Sequence, residues 1–190
     1  MAARTSLSHV LLCAGSLHEW AQTSVDAWRA RLTLVSQVAH GGGAEWATII
    51  PHGSGSESDV SHIRQLLVES CGGVQYADRV VVLGDEGVTV IVDLCADGRQ
   101  RIADAVNRMT TDDVTEQRLA ATLSAPAPGE PDLVIVLGSA SAMPAALVWE
   151  IAYAELVFLD AAWGDLNAEH LEMAIDDFAR RDRRFGGIDS

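Results

Sequence analysis

Short apolar runs that end in glycine alternate along this chain with longer segments of helical periodicity, and this alternation restricts the fold more than any other feature. The runs from Ser8 to Gly15 and from Glu45 to Gly53 are typical of buried strands. Between them, apolar residues recur at helical spacing until Gly41–Gly43, a strong helix stop signal. A strand, a helix and a strand in this order predict a βαβ unit with parallel strands.

One spacing breaks this parallel pattern. After a helix predicted from about Ser58 to Ser70, the segment DRVVVLGDEGVTVIVDLC (residues 78–95) contains two β-branched runs joined only by GDEG. A parallel crossover needs about a dozen residues or more, whereas a hairpin needs only a tight turn. The sequence therefore predicts one antiparallel pair here, followed by two consecutive helices in residues 97–109 and 111–123.

The closing part of the chain returns to the alternating pattern. A buried strand is predicted at Leu133–Leu137, a helix from about Met143 to Tyr153, a strand at Glu155–Asp160 and a terminal helix from about Asn167 to Arg181. Together the elements predict an α/β fold, with a mostly parallel sheet that contains one hairpin-type pair and is flanked by helices. A chain of 190 residues suits one domain, so residues 1–190 are expected to form a single unit.

The charge of the chain excludes two classes of partner. The formal net charge is -14, and all 13 basic residues are arginine. Nucleic acids and anionic membranes are held by clustered positive charge, so neither is an expected partner. No apolar run is long enough for a transmembrane segment and the first residues lack a signal-peptide core, so a cytoplasmic protein is expected. Cys13, Cys71 and Cys95 are expected to be buried free thiols.

The segment from Leu133 to Leu166 has the shape of a phosphate site but not its charge. It reads as a strand, a loop of small residues, a helix and a second strand, an arrangement that many enzymes use to bind phosphate. Its charged side chains are all acidic: Glu150, Glu155, Asp160 and Asp165. A phosphorylated ligand requires basic groups, so the segment predicts a phosphate site whose chemistry has been lost.

Four stretches of the chain carry motifs of a known enzyme family. The longest is AYAELVFLDAAWGDL followed by a helix and RRFGG (residues 152–187), and LVIVLGSASAMPAALVWEI (residues 133–151) precedes it directly. They resemble AYAE-aromatic-F-T-D-x-x-W-P-D-F, RRFGG and LVIRTGGExRxSNFLLWQx of the cis-prenyltransferases, the undecaprenyl diphosphate synthase family. More weakly, residues 9–20 resemble that family's HxAxIMDGNGRW, and residues 95–106 resemble its NYGGRxEI helix start. The resemblance implies Mg²⁺-dependent synthesis of polyprenyl diphosphates from isopentenyl diphosphate and an allylic diphosphate.

The departures from these motifs fall on the family's metal and diphosphate ligands. The motif aspartate of the family helps to hold Mg²⁺, and Gly15 stands at its place. The phosphate-binding Gly-Asn-Gly-Arg that follows corresponds to Ser16, Leu17, His18 and Glu19. The two arginines and the serine that bind isopentenyl diphosphate correspond to Val136, Ala142 and Pro144. Because each charge-assisted hydrogen bond contributes about 1.5 to 3 kcal/mol, the resemblance implies that most affinity for a diphosphate is lost.

The chain keeps the part of the family that lies between subunits. The C-terminal RxG arrangement, Arg184 to Gly186, resembles that of the non-catalytic subunits of two-component cis-prenyltransferases of the Nogo-B receptor type. The resemblance implies that Arg184, Gly186 and Gly187 assist the diphosphate site of a catalytic partner, which would hold most of the Mg²⁺ ligands. Glu155 matches a family position that contributes to Mg²⁺ across the dimer. The expected interface residues are Tyr153, Glu155, Phe158, Trp163 and Phe185.

The prediction is therefore a non-catalytic subunit of a heterodimeric cis-prenyltransferase, with isoprenoid diphosphates bound at a shared site. A homodimer is the alternative assembly. Two other functions stay open at this point: a divergent prenyltransferase that acts alone on short allylic diphosphates, and a binding protein outside prenyl chemistry. Glu155 can equally be a hydrogen-bonded part of the scaffold, and Arg184 can be a solvated cap of the terminal helix.

Overall fold

The computed structural model describes residues 7–109, 114–138 and 143–185. Within these ranges the strands are β1 (His9–Cys13), β2 (Trp46–Ile50), β3 (Val74–Tyr76), β4 (Arg79–Leu83), β5 (Thr89–Asp93), β6 (Leu133–Leu137) and β7 (Glu155–Leu159). The helices are α1 (Leu17–Ala21), α2 (Val25–Gly41), α3 (Glu57–Ser70), α4 (Gly98–Asn107), α5 (Glu116–Ser124) and α6 (Ala168–Phe185). Single 3-10 turns lie at Asp85–Gly87, Ala145–Leu147, Glu150–Ala152 and Trp163–Asp165.

The strands form one sheet in the order β3-β4-β5-β2-β1-β6-β7. Strands β5, β2, β1, β6 and β7 run parallel, while β3 and β4 are antiparallel to their neighbours. The GDEG segment makes the predicted tight turn between β4 and β5, in which Glu86 has a φ of 58° and Gly87 a φ of 83°. The predicted α/β fold, with a mostly parallel sheet and a hairpin-type pair of β4 and β5, is therefore confirmed, and β3 adds a second antiparallel pair that was not predicted.

Alternation of side chains along the strands divides the core between the two faces of the sheet. On one face, Val10 and Leu12 of β1 and Ile135 of β6 join the apolar sides of α1, α2, α3 and α6. On the other face, Leu11 and Cys13 of β1 join a smaller cluster that is covered by the turns around Ala146 and Leu147. The cover of β6 and β7 is therefore much thinner on this second face.

The helix predicted from Met143 to Tyr153 is wrong. This segment instead forms the two 3-10 turns at Ala145–Leu147 and Glu150–Ala152. Neither turn has a side-chain cap, and Pro144 occupies the N-cap of the first. The carboxylate of Glu150 is drawn inward to the guanidinium of Arg101, which lies 2.8 Å away. A regular helix was expected from the spacing of apolar residues, but a buried contact with another element fixes the backbone here.

Two short elements were absent from the predicted pattern, and one boundary moves. Helix α1 has five residues and strand β3 has three, so neither is long enough to show a period in the sequence. Helix α6 extends to Phe185, beyond the predicted end at Arg181. No helix in the described part of the chain is long and apolar enough to cross a membrane.

The three cysteines are free thiols, but the predicted burial is right only for Cys13. Cys13 is fully buried in β1, whereas Cys71 and Cys95 are half-buried. Burial raises the pKa of the Cys13 thiol to about 12, and the carboxylate of Glu150 adds to the shift. Cys13 is therefore a protonated, unreactive core residue at neutral pH.

His9 is a buried histidine that ties β1 to its surroundings at the amino edge of the sheet. Its Nδ1 lies 3.0 Å from the carbonyl oxygen of Gly129, and its Nε2 lies 2.8 Å from Thr48 Oγ1. Because a carbonyl only accepts, Nδ1 must donate, which leaves Nε2 to accept from the hydroxyl in a neutral ring. Burial lowers the pKa of His9 below its ordinary 6.5, against the raising effects of Gly129 and Asp132.

We expect the stability of the protein to fall as the pH drops below about 6.5, in part through His9. The unfolded chain binds a proton at a higher pH than the folded chain, so the stability contributed by neutral His9 is complete above pH 6.5 and is lost toward the lower folded pKa. The slope from one such group is at most about 1.4 kcal/mol per pH unit. Urea unfolding of His9→Gln between pH 7.5 and 5 should show a weaker pH dependence than wild type.

The matched control for this experiment is His62→Gln, which changes an exposed histidine on α3. It should keep the pH dependence of the wild-type chain. If His9→Gln and His62→Gln unfold with the same slope against pH, the link between His9 and acid destabilisation is wrong.

Candidate functional site

Ligands of parallel α/β sheets bind beyond the carboxyl ends of the strands, and this edge is the candidate site here. The loops after β1 and β2 meet at this edge. Leu17 N donates to Gly53 O at 3.0 Å and His52 N donates to Gly15 O at 2.8 Å. The loops pack so closely that a Cβ on Gly53 would lie 2.7 Å from the Cβ of Ser16. The backbone of these two loops, which forms the bottom of the candidate site, is therefore held in place by hydrogen bonds and close contacts.

Gly15 stands at the centre of this floor and has no room for a side chain. Its φ is +65°, and a Cβ would lie 3.0 Å from both Trp163 Cβ and Trp20 Nε1. Both the backbone conformation and the neighbouring indoles oppose any other residue. The resemblance assigns a Mg²⁺-binding aspartate to this position, and here the side chains of Trp20 and Trp163 occupy the space next to it.

Those rings belong to a buried cluster of Trp20, Trp28 and Trp163, whose centroids lie 5.3 to 5.6 Å apart. Trp20 Nε1 donates to Ala14 O at 2.9 Å, and Trp28 Nε1 donates to Trp20 O at 3.2 Å. The guanidinium of Arg31 lies 4.5 Å from the Trp163 ring centroid. Trp163 was predicted as an interface residue; in this chain its own core surrounds it, and its role between subunits stays a prediction.

The start of α1 is closed by a carboxylate of the chain itself. Glu19 Oε2 accepts from Ser16 N at 2.7 Å and from Ser16 Oγ at 2.9 Å, while Glu19 N donates to Ser16 Oγ at 3.1 Å. This is a complete capping box. The hydrogen bond from the Ser16 N–H, and then that from its hydroxyl, lower the pKa of Glu19. An anionic group therefore occupies the backbone N–H and the hydroxyl of Ser16, the first of the positions that the family resemblance assigns to phosphate.

The other helices that begin at this edge are closed in the same way. Asp59 Oδ2 accepts from Ser56 N at 2.8 Å at the start of α3, and these hydrogen bonds lower the pKa of Asp59. Asp97 Oδ1 accepts from Arg99 N at 2.9 Å at the start of α4. Asn167 Oδ1 accepts from His170 N at 3.1 Å at the start of α6. Free N–H groups at helix starts are what bind phosphate in such sheets, and at each of these helices a side chain of the chain itself already accepts from at least one N–H group at the helix start.

The residues at this edge do not fit Mg²⁺. Mg²⁺ at a phosphate site is held by one or two carboxylates together with substrate phosphates and water, and the family position for such a carboxylate is Gly15 here. Across residues 7–109, 114–138 and 143–185, no three His, Cys, Asp or Glu side chains come together in a way that could hold a metal ion. His18 Nδ1 does lie 3.7 Å from Asp59 Oδ2, but His18 Nε2 is engaged with Gln22 Nε2 at 2.8 Å.

Glu155, the predicted metal residue, lies far from Gly15 within one chain. It opens β7 opposite Leu133, at the amino edge of the sheet, whereas Gly15 follows the carboxyl end of β1. One oxygen of its carboxylate, Oε2, is buried and has no hydrogen-bond partner among the described residues. The chain therefore does not bring Glu155 and the Gly15 loop together, and any shared role requires a second chain.

Five exposed apolar side chains lie on β7 and in the segment that precedes it, and we call them the β7 face. It consists of Met143, Val148, Ile151, Tyr153 and Phe158. Tyr153 is 51% exposed and Phe158 is 36% exposed, so two predicted interface residues do lie at the surface. β7 is also an edge strand of the sheet, with one side unpaired. A surface of this kind is typical of a contact with another protein.

The predicted C-terminal residues extend past the described part of the chain. Gly186 and Gly187 lie outside the described residues, as does Ala142, and Arg184 and Phe185 are described only as backbone at the end of α6. The neighbouring Arg180 and Arg181 both pair with Asp177, at 3.8 and 2.6 Å. The roles of Arg184, Gly186 and Gly187 toward a diphosphate stay predictions.

A buried group of four charges near this edge was not predicted. Asp93 Oδ2 lies 2.8 Å from Arg79 Nε and 3.3 Å from Arg101 Nε, and Arg101 Nη2 lies 2.8 Å from Glu150 Oε1. All four side chains are at most 9% exposed. The hairpin register places Arg79 opposite Asp93, so the predicted turn at GDEG already held the signal for this pair. Arg101 and Glu150 join it from α4 and the second 3-10 turn.

Comparison with known proteins agrees with this fold. The model of the Prenyltransf family, "Putative undecaprenyl diphosphate synthase", matches residues 62–186. Isoprenyl transferase 2 of Bradyrhizobium diazoefficiens is 36% identical over 110 residues, which are 53% of this chain and 44% of that protein. A trans,polycis-polyprenyl diphosphate synthase of Thermobifida fusca is 31% identical over 147 residues, which are 77% of this chain and 48% of that protein.

A solved structure extends the likeness of the fold to almost the whole chain. Lavandulyl diphosphate synthase from Lavandula x intermedia, in complex with dimethylallyl diphosphate, has a TM-score of 0.61 and 15% identity, covering 92% of this chain and 95% of that one. The chain spans about half the length of the curated relatives it matches. The match of the family model to residues 62–186, together with the shared fold, shows that this chain belongs to the undecaprenyl diphosphate synthase-like prenyltransferase family.

Proposed function

We propose that this chain is a non-catalytic subunit of a heteromeric cis-prenyltransferase, which makes polyprenyl diphosphates from isopentenyl diphosphate and an allylic diphosphate. The observation that carries the proposal is the capping box of α1. Glu19 holds the two Ser16 donors at 2.7 and 2.9 Å, at the place where the family resemblance puts a cation and a phosphate. A substrate diphosphate would have to displace this carboxylate and then meet its charge.

The metal position supports the same proposal. Glycine stands where the family has its Mg²⁺-binding aspartate, and a side chain added at Gly15 would lie against Trp20 and Trp163. The catalytic partner would supply that aspartate, Mg²⁺ and the space for the growing prenyl chain. Mg²⁺ would neutralise diphosphate charge in the assembled complex.

This chain would contribute its C-terminal tail and its β7 face. The guanidinium of Arg184 and the backbone N–H groups of Gly186 and Gly187 are donors that match phosphate oxygens, so the tail would assist the diphosphate site of the partner. The β7 face, which includes Tyr153 and Phe158, would pack on the partner. Glu155 would then approach the partner's metal site rather than the Gly15 loop of its own chain.

A prenyl-transfer assay tests the proposal directly. Labelled isopentenyl diphosphate, farnesyl diphosphate and Mg²⁺ are incubated with this protein alone, with a catalytic chain that carries an intact DGNGRW motif, and with the two together. We expect product from the mixture at a rate well above that of the catalytic chain alone, and none from this protein alone. Equal rates with and without this protein would contradict the proposal.

The second candidate is a divergent prenyltransferase that acts alone on short allylic diphosphates. It is favoured by relatives that are named as isoprenyl transferases and are 29 to 38% identical to this chain over their matched residues. Turnover of dimethylallyl diphosphate and isopentenyl diphosphate by the pure protein would support it over the subunit proposal. The closed helix starts at the carboxyl edge argue against such turnover.

A further inference from the structure

The β7 face is covered by little of its own chain. On this side of β6 and β7, Ala146 and Leu147 of a 3-10 turn pack on Val134 and Val136. Beyond this turn, Met143 is 48% exposed, Ile151 46% and Val148 40%. Apolar side chains that are exposed together next to an unpaired edge strand would gain from burial against another protein.

Four carboxylates lie on or beside this face. The hydroxyl of Tyr153 donates to Glu116 Oε1 at 2.6 Å, and Trp149 Nε1 donates to Glu130 Oε1 at 2.5 Å. Glu155 opens β7 and exposed Asp160 directly follows it. Among the described residues, the ion pairs include none of these four carboxylates. The hydrogen bond to Glu116 and the charges of Glu116 and Glu130 raise the pKa of Tyr153.

Of the described basic side chains, Arg181 contacts β7, and it pairs with a carboxylate of its own helix. Arg181 Nη1 donates to Leu156 O at 3.3 Å, which places this guanidinium beside β7. Its charge is balanced by Asp177, 2.6 Å away, and Arg180 pairs with the same carboxylate at 3.8 Å. The rim of the β7 face in the described part of the chain is therefore acidic, in a chain whose formal net charge is -14.

We propose that the β7 face selects a different chain, whose docking surface is apolar at its centre and basic at its rim, and that it disfavours a second copy of itself. This inference rests on the proposed function for the existence of a partner, but it concerns the charge of that partner. In a two-fold dimer the same patch meets itself, so the acidic rims of two copies would share one interface. Like charges brought together across an interface oppose association, whereas opposite charges favour it and set specificity.

Neutralising the rim tests the exclusion of a second copy. Glu116→Gln, Glu130→Gln and Asp160→Asn are combined, because the amides keep an acceptor for Tyr153 and Trp149 but remove the charge. By sedimentation equilibrium in low salt, we expect the wild-type chain to stay monomeric and this variant to self-associate at least about tenfold more tightly. The control has the same net charge and neutralises three exposed carboxylates on other surfaces: Glu45→Gln, Glu57→Gln and Glu86→Gln.

A copy of the chain with a basic rim serves as the probe for the partner. It carries Glu116→Lys, Glu130→Lys and Asp160→Lys, and its circular dichroism is compared with that of the wild type to confirm folding. Mixed with the wild-type chain and observed by native mass spectrometry, it should form a one-to-one heterodimer that weakens as salt increases. The control probe carries lysine substitutions of equal charge elsewhere and should not pair: Glu45→Lys, Glu57→Lys and Glu86→Lys.

The inference is overturned if the wild-type chain dimerises through this face as tightly as the neutralised variant, or if both lysine probes bind the wild-type chain equally. Neither measurement uses an isoprenoid substrate. If the mixture makes no prenyl product but pairing still depends on the charge of the rim, only the proposed function is therefore contradicted. If the mixture makes prenyl product but pairing does not depend on the charge of the rim, only the proposed preference for a partner with a basic rim is contradicted.

Discussion

Replacing Arg101 with methionine is expected to lower the free energy of unfolding by about 3 to 5 kcal/mol, because it breaks a buried ion network. The guanidinium lies 2.8 Å from Glu150 Oε1 and 3.3 Å from Asp93 Oδ2, and Nη1 donates to Ala146 O at 3.1 Å. Without it, the carboxylate of Glu150 stays in the core with no positive partner. Urea unfolding followed by circular dichroism at pH 7.5 measures the change.

The cost follows from how the four charges balance. Arg79 and Arg101 face Asp93 and Glu150, so the formal charges cancel within the buried group. Burial acts to lower the pKa of Arg101, but the carboxylates of Asp93 and Glu150 oppose it and together raise the pKa. Arg79 also donates to the carbonyl oxygens of Leu123 and Ala125, so it is held in place and cannot move to Glu150. Arg101 alone connects the two carboxylates.

Arg99→Met is the matched control, because Arg99 lies two residues away on the same helix and is exposed. It should change the free energy of unfolding by less than about 0.5 kcal/mol. The double variant Arg101→Met with Glu150→Leu should recover much of the lost stability, because a neutral pair can replace a buried ion pair. If Arg101→Met and Arg99→Met unfold at the same urea concentration, the network does not stabilise the fold.

The same network explains the main error in the predicted fold. Strand positions and the hairpin were predictable because alternation and loop length are local properties of the sequence. The conformation of the segment from Met143 to Tyr153 was not predictable, because it depends on the ion pair between Glu150 and Arg101. Arg101 lies on helix α4, far from this segment in the sequence. No local pattern of residues 143–153 records that contact.

For the candidate site, the loss of the family's metal and phosphate ligands was predictable from the sequence, whereas the contacts that replace them were not. Gly15 and Glu19 stand at family ligand positions, so the loss of metal and phosphate chemistry could be inferred from their identities. The capping box of Ser16 and Glu19 has a sequence signature, but α1 has only five residues and shows no helical period that would indicate a helix after it. The indoles beneath Gly15 come from Trp20 and Trp163, and the second of these could be placed there only by the fold.

Arg184→Ala is expected to lower kcat/KM of the mixed complex by about 10- to 100-fold, because a guanidinium bonded to a diphosphate contributes about 1.5 to 3 kcal/mol. The loss should appear in the transfer of labelled isopentenyl diphosphate, while the mass of the complex stays unchanged by native mass spectrometry. Arg184→Lys should lose part of this activity, since an ammonium group keeps the charge but lacks the planar bidentate fork.

The control for Arg184 is Arg180→Ala, because Arg180 lies on the same helix and its exposed guanidinium pairs with Asp177 at 3.8 Å. Removing it takes away the same charge from the chain but no predicted contact with substrate, so activity should fall less than about twofold. Full activity of Arg184→Ala would remove this residue from the shared site and leave the proposed subunit with an interface role alone. Equal losses in both variants would indicate a general effect of charge on association rather than a contact with the diphosphate, because only Arg184 belongs to the RxG arrangement.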